Sequence, residues 1–338
     1  MAAIVGNDNP LYGRLIEEGV TVLADDGPVE GATAEMRVGI LNLMPDAALR
    51  ATERQFARLI ATCSVNVPIH IVLFTIEGVR RSEEVRSYIA SYYERFDQIK
   101  RKGLDALIVT GAPPLTCNVL DEEYGPHLDQ VIDWAMDNVK STWLSCLSAQ
   151  YVAKKFYDID RVRLSNKLVG VFPHVVSRKS HPLVGNGNTR FNCIHSRYYD
   201  IDADALEQAG LEILVRCEES DQFLLAVSQD GMKMIFCQGH PEYDTVSLFK
   251  EYVRDINLFL SSVRQNYPPT PVSYFDVKTE EELDRCKSNI LNMSTLESAT
   301  NCAKEIVVEE ELHNSWIDSS KGLISNWLGM VWTARNSC

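Results

Sequence analysis

A cysteine at position 146 stands between a predicted strand and a predicted helix. The β-rich run Ser141–Ser145 precedes Cys146, and a helical pattern over residues 148–153 follows it. A tight strand-to-helix turn would lift the thiol above the carboxyl edge of a sheet, where a helix N-terminus stabilises a thiolate. The backbone N–H of Leu147 could then hydrogen-bond a developing oxyanion. Placement alone still favours a buried structural cysteine, so a catalytic role depends on partner groups elsewhere in the chain.

A histidine and a glutamate two residues apart supply such partners. His240 and Glu242 follow a predicted strand over residues 234–237 and flank Pro241. In an extended segment, residues i and i+2 project to one side, and the proline ring restricts the backbone between them. The carboxylate could hold the imidazole in one tautomer and stabilise its protonated form. His-Pro-Glu alone also suits a surface turn, but together with Cys146 it predicts a nucleophile–base–orienter triad.

The remaining histidines and cysteines give no comparable signal for a metal ion or a cofactor. Cys193 and His195 could join Cys237 and His240 in a Cys₂His₂ site, but their spacings fit no zinc pattern. The chain contains no Cys-x-x-Cys pair, no Gly-x-Gly-x-x-Gly loop and no Walker loop. We therefore predict chemistry that needs neither a metal ion nor a bound cofactor.

Short β-rich runs alternate with helical patterns through the central part of the chain. The predicted strands cover residues 38–43, 69–74, 106–110, 141–145, 211–217, 223–227 and 234–237. The predicted helices cover residues 51–62, 82–93, 124–139 and a long segment from 244 to about 267. This alternation is typical of βαβ units. The predicted fold class is therefore α/β, with a doubly wound, flavodoxin-like, mostly parallel sheet and helices on both faces.

The layout of the chain predicts one main domain with additions at both ends. Residues 1–35 form an N-terminal extension that packs on the core, and residues 36–275 form the main domain. Residues 276–312 are rich in glutamate and form an acidic helical insertion. Residues 313–338 form a C-terminal segment whose apolar run at 322–328 docks on the core.

Composition excludes several classes of partner. The 338 residues include 33 Lys+Arg and 47 Asp+Glu, which gives a formal net charge of -14. Such a balance disfavours binding to nucleic acid or to an anionic membrane surface. The N-terminus lacks the positive region and apolar core of a signal peptide, so we expect a cytoplasmic protein.

Several segments together resemble the homoserine O-acyltransferases, which comprise homoserine O-succinyl- and O-acetyltransferases and share the class I glutamine amidotransferase fold. The most specific match is Gly239-His240-Pro241-Glu242-Tyr243-Asp244, followed by Glu251 and by Arg254-Asp255. Further matches lie at residues 39–45, 52–56, 105–113, 141–150, 167–171, 195–198 and 326–328. The matches run in the same order along both chains and cover roughly residues 10–275 and the C-terminus.

The resemblance implies a role for each residue that matches a functional position of the family. It implies Cys146 as the nucleophile, His240 as the general base and Glu242 as its orienter. Arg254 would pair with the α-carboxylate of an amino-acid acceptor, a contact suited to a planar guanidinium. Glu251 would help to position that acceptor, although Glu251 and Arg254 could instead form an exposed i,i+3 ion pair. Lys167 and Ser196 match positions that line the active site.

Three segments around the predicted pocket depart from the family pattern. The position that separates succinyl users (Gly) from acetyl users (Glu) holds Leu115. A leucine would crowd a long carboxylated acyl chain and cannot pair with it, which favours acetyl or another small neutral group. Asp46-Ala47 replaces a usual lysine pair, and Leu147 replaces a usual tryptophan. Substrate identity is therefore less determined by the sequence than the reaction class.

The predicted reaction is acyl transfer through an enzyme thioester. Cys146 would take the acyl group from acyl-CoA, the co-substrate, and the side-chain hydroxyl of homoserine or of a related hydroxy amino acid such as serine would discharge it. This reaction belongs to methionine- or cysteine-type amino-acid biosynthesis, and the resemblance also implies a homodimer. Two alternatives stay open: a glutaminase-like amidase that uses the same triad, and a catalytically silent binding homologue.

Overall fold

The strands form one mixed sheet with a parallel part that brings the ends of two central strands together. The computed structural model describes residues 4–24, 35–63, 67–185, 187–220, 222–292 and 303–337. Its strands are β1 (Ile4–Gly6), β2 (Val22–Ala24), β3 (Met36–Leu41), β4 (Ile69–Phe74), β5 (Ala106–Val109), β6 (Ser141–Ser145), β7 (Arg161–Val176), β8 (Arg190–Ile201), β9 (Glu212–Cys217), β10 (Phe223–Val227) and β11 (Met234–Cys237). They lie in the order β2-β1-β4-β3-β5-β6-β11-β10-β9-β7-β8, and every neighbouring pair from β2 to β11 is parallel. The carboxyl ends of β6 and β11 therefore lie side by side.

Helices cover both faces of the parallel part, as the fold-class prediction requires. They include α1 (Pro10–Glu17), α2 (Asp46–Ala61), α3 (Glu83–Tyr92), α4 (Phe96–Lys102), α5 (Gly125–Asn138), α6 (Leu147–Tyr157), α7 (Ala203–Gln208), α8 (Ser247–Leu260), α9 (Val277–Asn292) and α10 (Ile317–Asn336). Successive residues of a strand point to opposite faces. Ile108 and Trp143 accordingly join the core under α2 and α10, whereas Leu107 and Leu144 join the core under α5 and α6.

A long antiparallel hairpin, absent from the sequence prediction, extends the sheet beyond β9. Strands β7 and β8 pair over most of their length, and β7 also pairs with β9. The register of β7 shifts between Arg163 and Leu168, so the strand lacks the regular alternation that predicts a half-buried strand. Because β7 carries Lys167 and β8 carries Ser196, this hairpin supplies one wall of the site described below.

The two ends of the chain pack against the sheet in different ways. Within residues 1–35, β1 joins β4 and thereby extends the sheet, while Leu11 and Leu15 of α1 are buried in the core. At the other end, α10 buries Trp327, whose ring nitrogen donates a 2.8 Å hydrogen bond to Ser141 Oγ. In the segment 276–312, α9 is helical, and residues 293–302 lie outside the described residues.

Three predicted helix boundaries were wrong, each for a local reason. Helix α8 ends at Leu260 rather than near residue 267, because the backbone leaves the helical conformation at Ser262, where φ is 60°. Helix α2 begins at Asp46 rather than at residue 51, because Pro45 at its N-cap has an extended backbone and an acidic residue suits the first turn. Helix α8 begins at Ser247 rather than at residue 244, and Asp244 instead forms ion pairs with Arg54 and Arg58 of α2. Across the described ranges, none of the helices is long and apolar enough to span a bilayer.

Candidate active site

Cys146 occupies a sharp turn between β6 and α6. Its backbone angles are φ 51° and ψ −106°, a conformation that is costly for a residue with a side chain and that clusters at functional sites. The Cys146 N–H donates to Cys237 O at 2.7 Å, which ties the turn to the end of β11. Gly111 lies against this turn, where an added Cβ would stand 3.4 Å from Cys146 Cβ. The turn at Cys146 is thus strained, and the missing side chain of Gly111 leaves space beside it.

His240 lies beside Cys146 with its ring held by Glu242. The Nδ1 atom of His240 is 2.8 Å from Glu242 Oε1, so Nε2 is the ring nitrogen that faces the Cys146 sulfur. Burial opposes a charged imidazole, but the Glu242 carboxylate and the hydrogen bond with Cys146 outweigh it and raise the pKa of His240 well above its usual value. The three side chains therefore form the chain of contacts that a nucleophile–base–orienter triad requires.

The backbone leading to His240 approaches its neighbours too closely for any residue but glycine. A Cβ added to Gly239 would stand 2.5 Å from Leu224 Cδ1 and 2.9 Å from Ile194 O. The next residue, His240, donates its backbone N–H to Ile194 O at 2.9 Å. Close packing on β8 therefore fixes the backbone position of His240 and the point from which its side chain extends.

A cleft of about 110 Å³ is lined by Cys146 and His240, whereas Glu242 contacts the His240 ring from outside it. Leu147 lines it and begins α6, where the first backbone N–H groups have no acceptor within the helix. The cleft is lined by Met44, Gly111, Ala112, Pro113, Pro114, Cys146, Leu147, Gln150, Lys167, Ser196, Arg197, Tyr198, Tyr199, His240, Tyr243, Glu251 and Arg254. The structure thus brings all but one of the sequence-predicted site residues to the cleft or to the His240 ring.

Glu251 is the centre of a polar cluster that lines this cleft. Its Oε2 accepts hydrogen bonds from Ser196 Oγ at 2.5 Å and from Lys167 Nζ at 3.2 Å. Its Oε1 accepts from the hydroxyl of Tyr243 at 2.6 Å. Burial would raise the pKa of this carboxyl, but Lys167 and Arg254 outweigh it and lower the pKa to about 2. Glu251 is therefore ionised and well positioned.

Arg254 is the exposed member of the same cluster. Its guanidinium donates to Asp255 Oδ1 at 2.8 and 3.1 Å and lies 3.8 Å from Glu251, while 53% of its side chain is exposed. Asp255 also pairs with Lys167 at 2.9 Å and with Arg264 at 3.2 Å. Three cations face two carboxylates in this group. The one positive charge in excess, on a partly exposed guanidinium, suits an anionic ligand group.

Leu115 is the predicted site residue that reaches neither the cleft nor the His240 ring. Its side chain is 73% exposed, and it is absent from the residues that line the cleft. The backbone N–H groups of Leu115 and Thr116 donate to the buried Glu122 carboxylate, which also faces Arg161 at 3.7 Å. The Glu122 carboxylate thus anchors the loop that carries Leu115, whose side chain is exposed to solvent.

His195, which sequence reasoning weighed as a metal ligand, instead belongs to a buried hydrogen-bonded chain behind the site. Its Nδ1 receives a hydrogen bond from Arg197, so its Nε2 carries the proton that is shared with His174 Nε2 at 2.9 Å. The Nδ1 of His174 in turn faces Phe172 O at 2.9 Å. Among the described residues, no group of three or more His, Cys, Asp and Glu side chains could hold a metal ion.

Tyr243 and Asp255 are functional candidates that sequence reasoning did not select. The Tyr243 ring stacks on the His240 ring with centroids 4.4 Å apart and an interplanar angle of 26°. Both residues lie within the motifs that carried the family resemblance, so the sequence did contain a signal that could have selected them. Their roles depend on contacts with β7, β8 and α8, which the sequence pattern did not reveal.

Comparison with known proteins gives matches along nearly the whole chain. The family model described as homoserine O-succinyltransferase matches residues 2–337. The chain is 41% identical to the homoserine O-succinyltransferase of Methylobacter tundripaludum over 98% of this chain and 94% of that protein. It is 42% identical to the homoserine O-succinyltransferase of Nitrosococcus oceani over 100% of this chain and 94% of that protein.

A solved structure of a glutamine amidotransferase from Methylobacillus flagellatus is also similar. The two chains are 13% identical, and their alignment covers 87% of this chain and 94% of the amidotransferase chain with a TM-score of 0.46. The classification itself follows from the family match over nearly every residue and from the full-length relatives. This chain belongs to the homoserine O-succinyltransferase family, as the resemblance of its motifs predicted.

Proposed function

We propose that this protein is a homoserine O-acyltransferase that works through a thioester on Cys146. The observation that carries the proposal is the contact chain Cys146–His240–Glu242 at a cleft that Arg254 also lines. A nucleophile with its base and a partly exposed guanidinium in one cleft suit an amino-acid acceptor. The names of the full-length relatives support the same activity.

In the first half-reaction, the Cys146 sulfur attacks the carbonyl carbon of the acyl-CoA thioester, and His240 takes the thiol proton. The resulting oxyanion is stabilised by the Leu147 N–H. When the tetrahedral intermediate collapses, the bond from carbon to the CoA sulfur breaks and His240 returns the proton to that sulfur. Free CoA leaves, and the acyl group remains on Cys146.

In the second half-reaction, homoserine binds with its α-carboxylate on Arg254 and its ammonium group near Glu251. His240 takes the proton of the side-chain hydroxyl, whose oxygen attacks the thioester carbonyl. The bond from carbon to Cys146 sulfur breaks, the thiolate regains the proton from His240, and O-acylhomoserine leaves. Such a product is an activated intermediate of amino-acid biosynthesis, because its acylated oxygen can leave as a carboxylate, which is a better leaving group than hydroxide.

For the acyl donor we propose succinyl-CoA. The full-length relatives carry the name homoserine O-succinyltransferase. The case for a small neutral group depended on Leu115 lying in the cleft, where it would crowd a carboxylated acyl chain and could not pair with it. The Leu115 side chain is 73% exposed and absent from the cleft lining, so that case loses its basis. The homodimer implied by the resemblance stays a prediction, to be measured by light scattering.

The test measures CoA release and the intact mass of the protein with acetyl-, propionyl- and succinyl-CoA, each with homoserine, serine or no acceptor. We expect a succinyl adduct that homoserine discharges. The adduct should disappear in Cys146→Ala and persist in the matched control Cys117→Ala, which changes an exposed free cysteine. Normal turnover by Cys146→Ala would overturn the mechanism. Ammonia release from glutamine without CoA release would favour the amidase. The absence of both reactions would favour a silent binding homologue.

A further inference from the structure

Tyr243 lies between the catalytic base and the acceptor-binding wall and contacts both. Its ring stacks on the His240 ring at a centroid distance of 4.4 Å, and its hydroxyl donates to Glu251 Oε1 at 2.6 Å. Its backbone carbonyl accepts a 3.0 Å hydrogen bond from the ring nitrogen of the buried Trp316. The side chain is therefore anchored at the backbone and reaches two functional groups with different parts.

The ring of Tyr243 restricts a motion of His240 that Glu242 alone does not restrict. The hydrogen bond to Glu242 Oε1 holds one edge of the imidazole at Nδ1. The ring can still pivot about that bond and swing Nε2 away from the Cys146 sulfur. An aromatic ring on the imidazole face blocks this pivot, and stacked pairs contribute beyond the area that they bury.

The hydroxyl of Tyr243 fixes the rotation of the Glu251 carboxylate. Ser196 and Lys167 both bond to Oε2, and Tyr243 is the donor on Oε1. Without that donor the carboxylate could turn Oε1 towards Lys167 or Arg254, which would shield the charge that an acceptor ammonium needs. Burial and the Glu251 charge raise the pKa of Tyr243 well above its usual value, so the phenol remains a donor.

We propose that Tyr243 is a positioning residue with two separable roles, in which its ring orients His240 for both half-reactions and its hydroxyl orients Glu251 for the acceptor alone. This proposal rests on the proposed function, since it assigns roles within the two half-reactions. The geometry divides the roles cleanly, because phenylalanine retains the stacking ring and lacks only the hydroxyl.

The first variant is Tyr243→Phe, assayed in separate half-reactions. We expect CoA release from succinyl-CoA to stay within about twofold of the wild type, while the second-order rate constant for discharge by homoserine falls about tenfold, the typical effect of losing a hydrogen bond to a charged acceptor. Tyr252→Phe is the matched control, because Tyr252 follows Glu251 on α8 and its hydroxyl contacts Tyr267 instead of the site. Equal slowing of both half-reactions, or unchanged discharge, would overturn the hydroxyl role.

The second variant is Tyr243→Leu, which removes the ring as well. We expect CoA release to fall three- to tenfold beyond Tyr243→Phe, with an altered pH dependence because His240 is less well held. Normal CoA release with an unchanged pH profile would overturn the ring role. If the leucine variant fails to fold, the phenylalanine variant still decides the hydroxyl role, and Tyr243→Trp tests whether another ring restores CoA release. A wild-type protein that forms no acyl adduct refutes the proposed function, which separates that failure from the failure of this inference.

Discussion

Replacing Glu242 by glutamine removes the charge beside His240, the proposed catalytic base, while leaving the shape of the residue 242 side chain almost unchanged. The Glu242 side chain is 5% exposed, and its Oε1 lies 2.8 Å from His240 Nδ1. The amide oxygen of glutamine can accept the same hydrogen bond, so the imidazole keeps its tautomer. The lost quantity is the attraction between a carboxylate and the imidazolium that forms when His240 takes a proton.

The size of this attraction follows from the distance between the charges. Two unit charges about 4 Å apart interact by about 4 kcal/mol at an effective dielectric constant of 20. The retained hydrogen bond offsets part of this, which leaves a loss of about 3 kcal/mol in the transition state. Since about 1.4 kcal/mol corresponds to a factor of ten, we expect Glu242→Gln to slow discharge of the acyl-enzyme about a hundredfold.

The pH dependence changes in a defined direction. In the proposed mechanism, discharge needs neutral His240, so the rate of discharge should rise as the pH passes the pKa of His240. The Glu242 carboxylate raises that pKa, and in the acyl-enzyme the Cys146 sulfur is uncharged and cannot replace it. Glu242→Gln should therefore move the rising limb to lower pH while its plateau falls.

The assay follows the decay of the succinyl-enzyme by intact mass after mixing with homoserine between about pH 6 and pH 9. Glu123→Gln is the charge-matched control, because Glu123 is exposed and pairs with Arg80 away from the cleft. A Glu242→Gln plateau within about threefold of the wild type, or a limb displaced to higher pH, would refute the reasoning.

Three further perturbations test the packing that holds the site. Gly239→Ala should place its Cβ 2.5 Å from Leu224 Cδ1, lower the free energy of unfolding by about 1–3 kcal/mol and slow CoA release; a normal rate of CoA release would contradict the close approach. Trp327→Ala should lower the free energy of unfolding in urea by about 3–5 kcal/mol, because it empties a buried site beside β6 and removes the bond to Ser141; a change below about 1 kcal/mol would contradict this. Burial lowers the pKa of His174 from 6.5 to about 4, so the unfolded chain binds more protons between these values and stability should be lost as the pH falls from about 6.5 to about 4. Urea titrations at pH 7 and about pH 4 measure how far the free energy of unfolding falls between the two pH values, and His174→Gln should reduce that fall by up to about 3 kcal/mol. An unchanged fall would show that His174 is not its source.

The sequence by itself determined the parallel sheet and the three residues of the predicted triad. The β-rich runs at 106–109 and 141–145 and the amphipathic segment between them follow local periodicity, which can be read from the sequence. Cys146 follows β6 directly, and His240 follows β11 after Gln238 and Gly239. Because β6 and β11 are parallel neighbours, the two residues had to meet at one edge of the sheet.

Only the tertiary structure decided the acceptor wall and the surroundings of the base. Lys167 and Ser196 lie on the β7–β8 hairpin, whose register shift breaks the period-two alternation that would predict a strand. They contact Glu251, which lies 84 and 55 residues further along the chain. The exposure of Leu115 depends on a loop held by the buried Glu122 carboxylate, and the stacking of Tyr243 on His240 depends on how the segment before α8 turns. Local patterns report the period of an element and the residues at its ends. Contacts between distant elements depend on how those elements pack, and packing is a property of the whole chain.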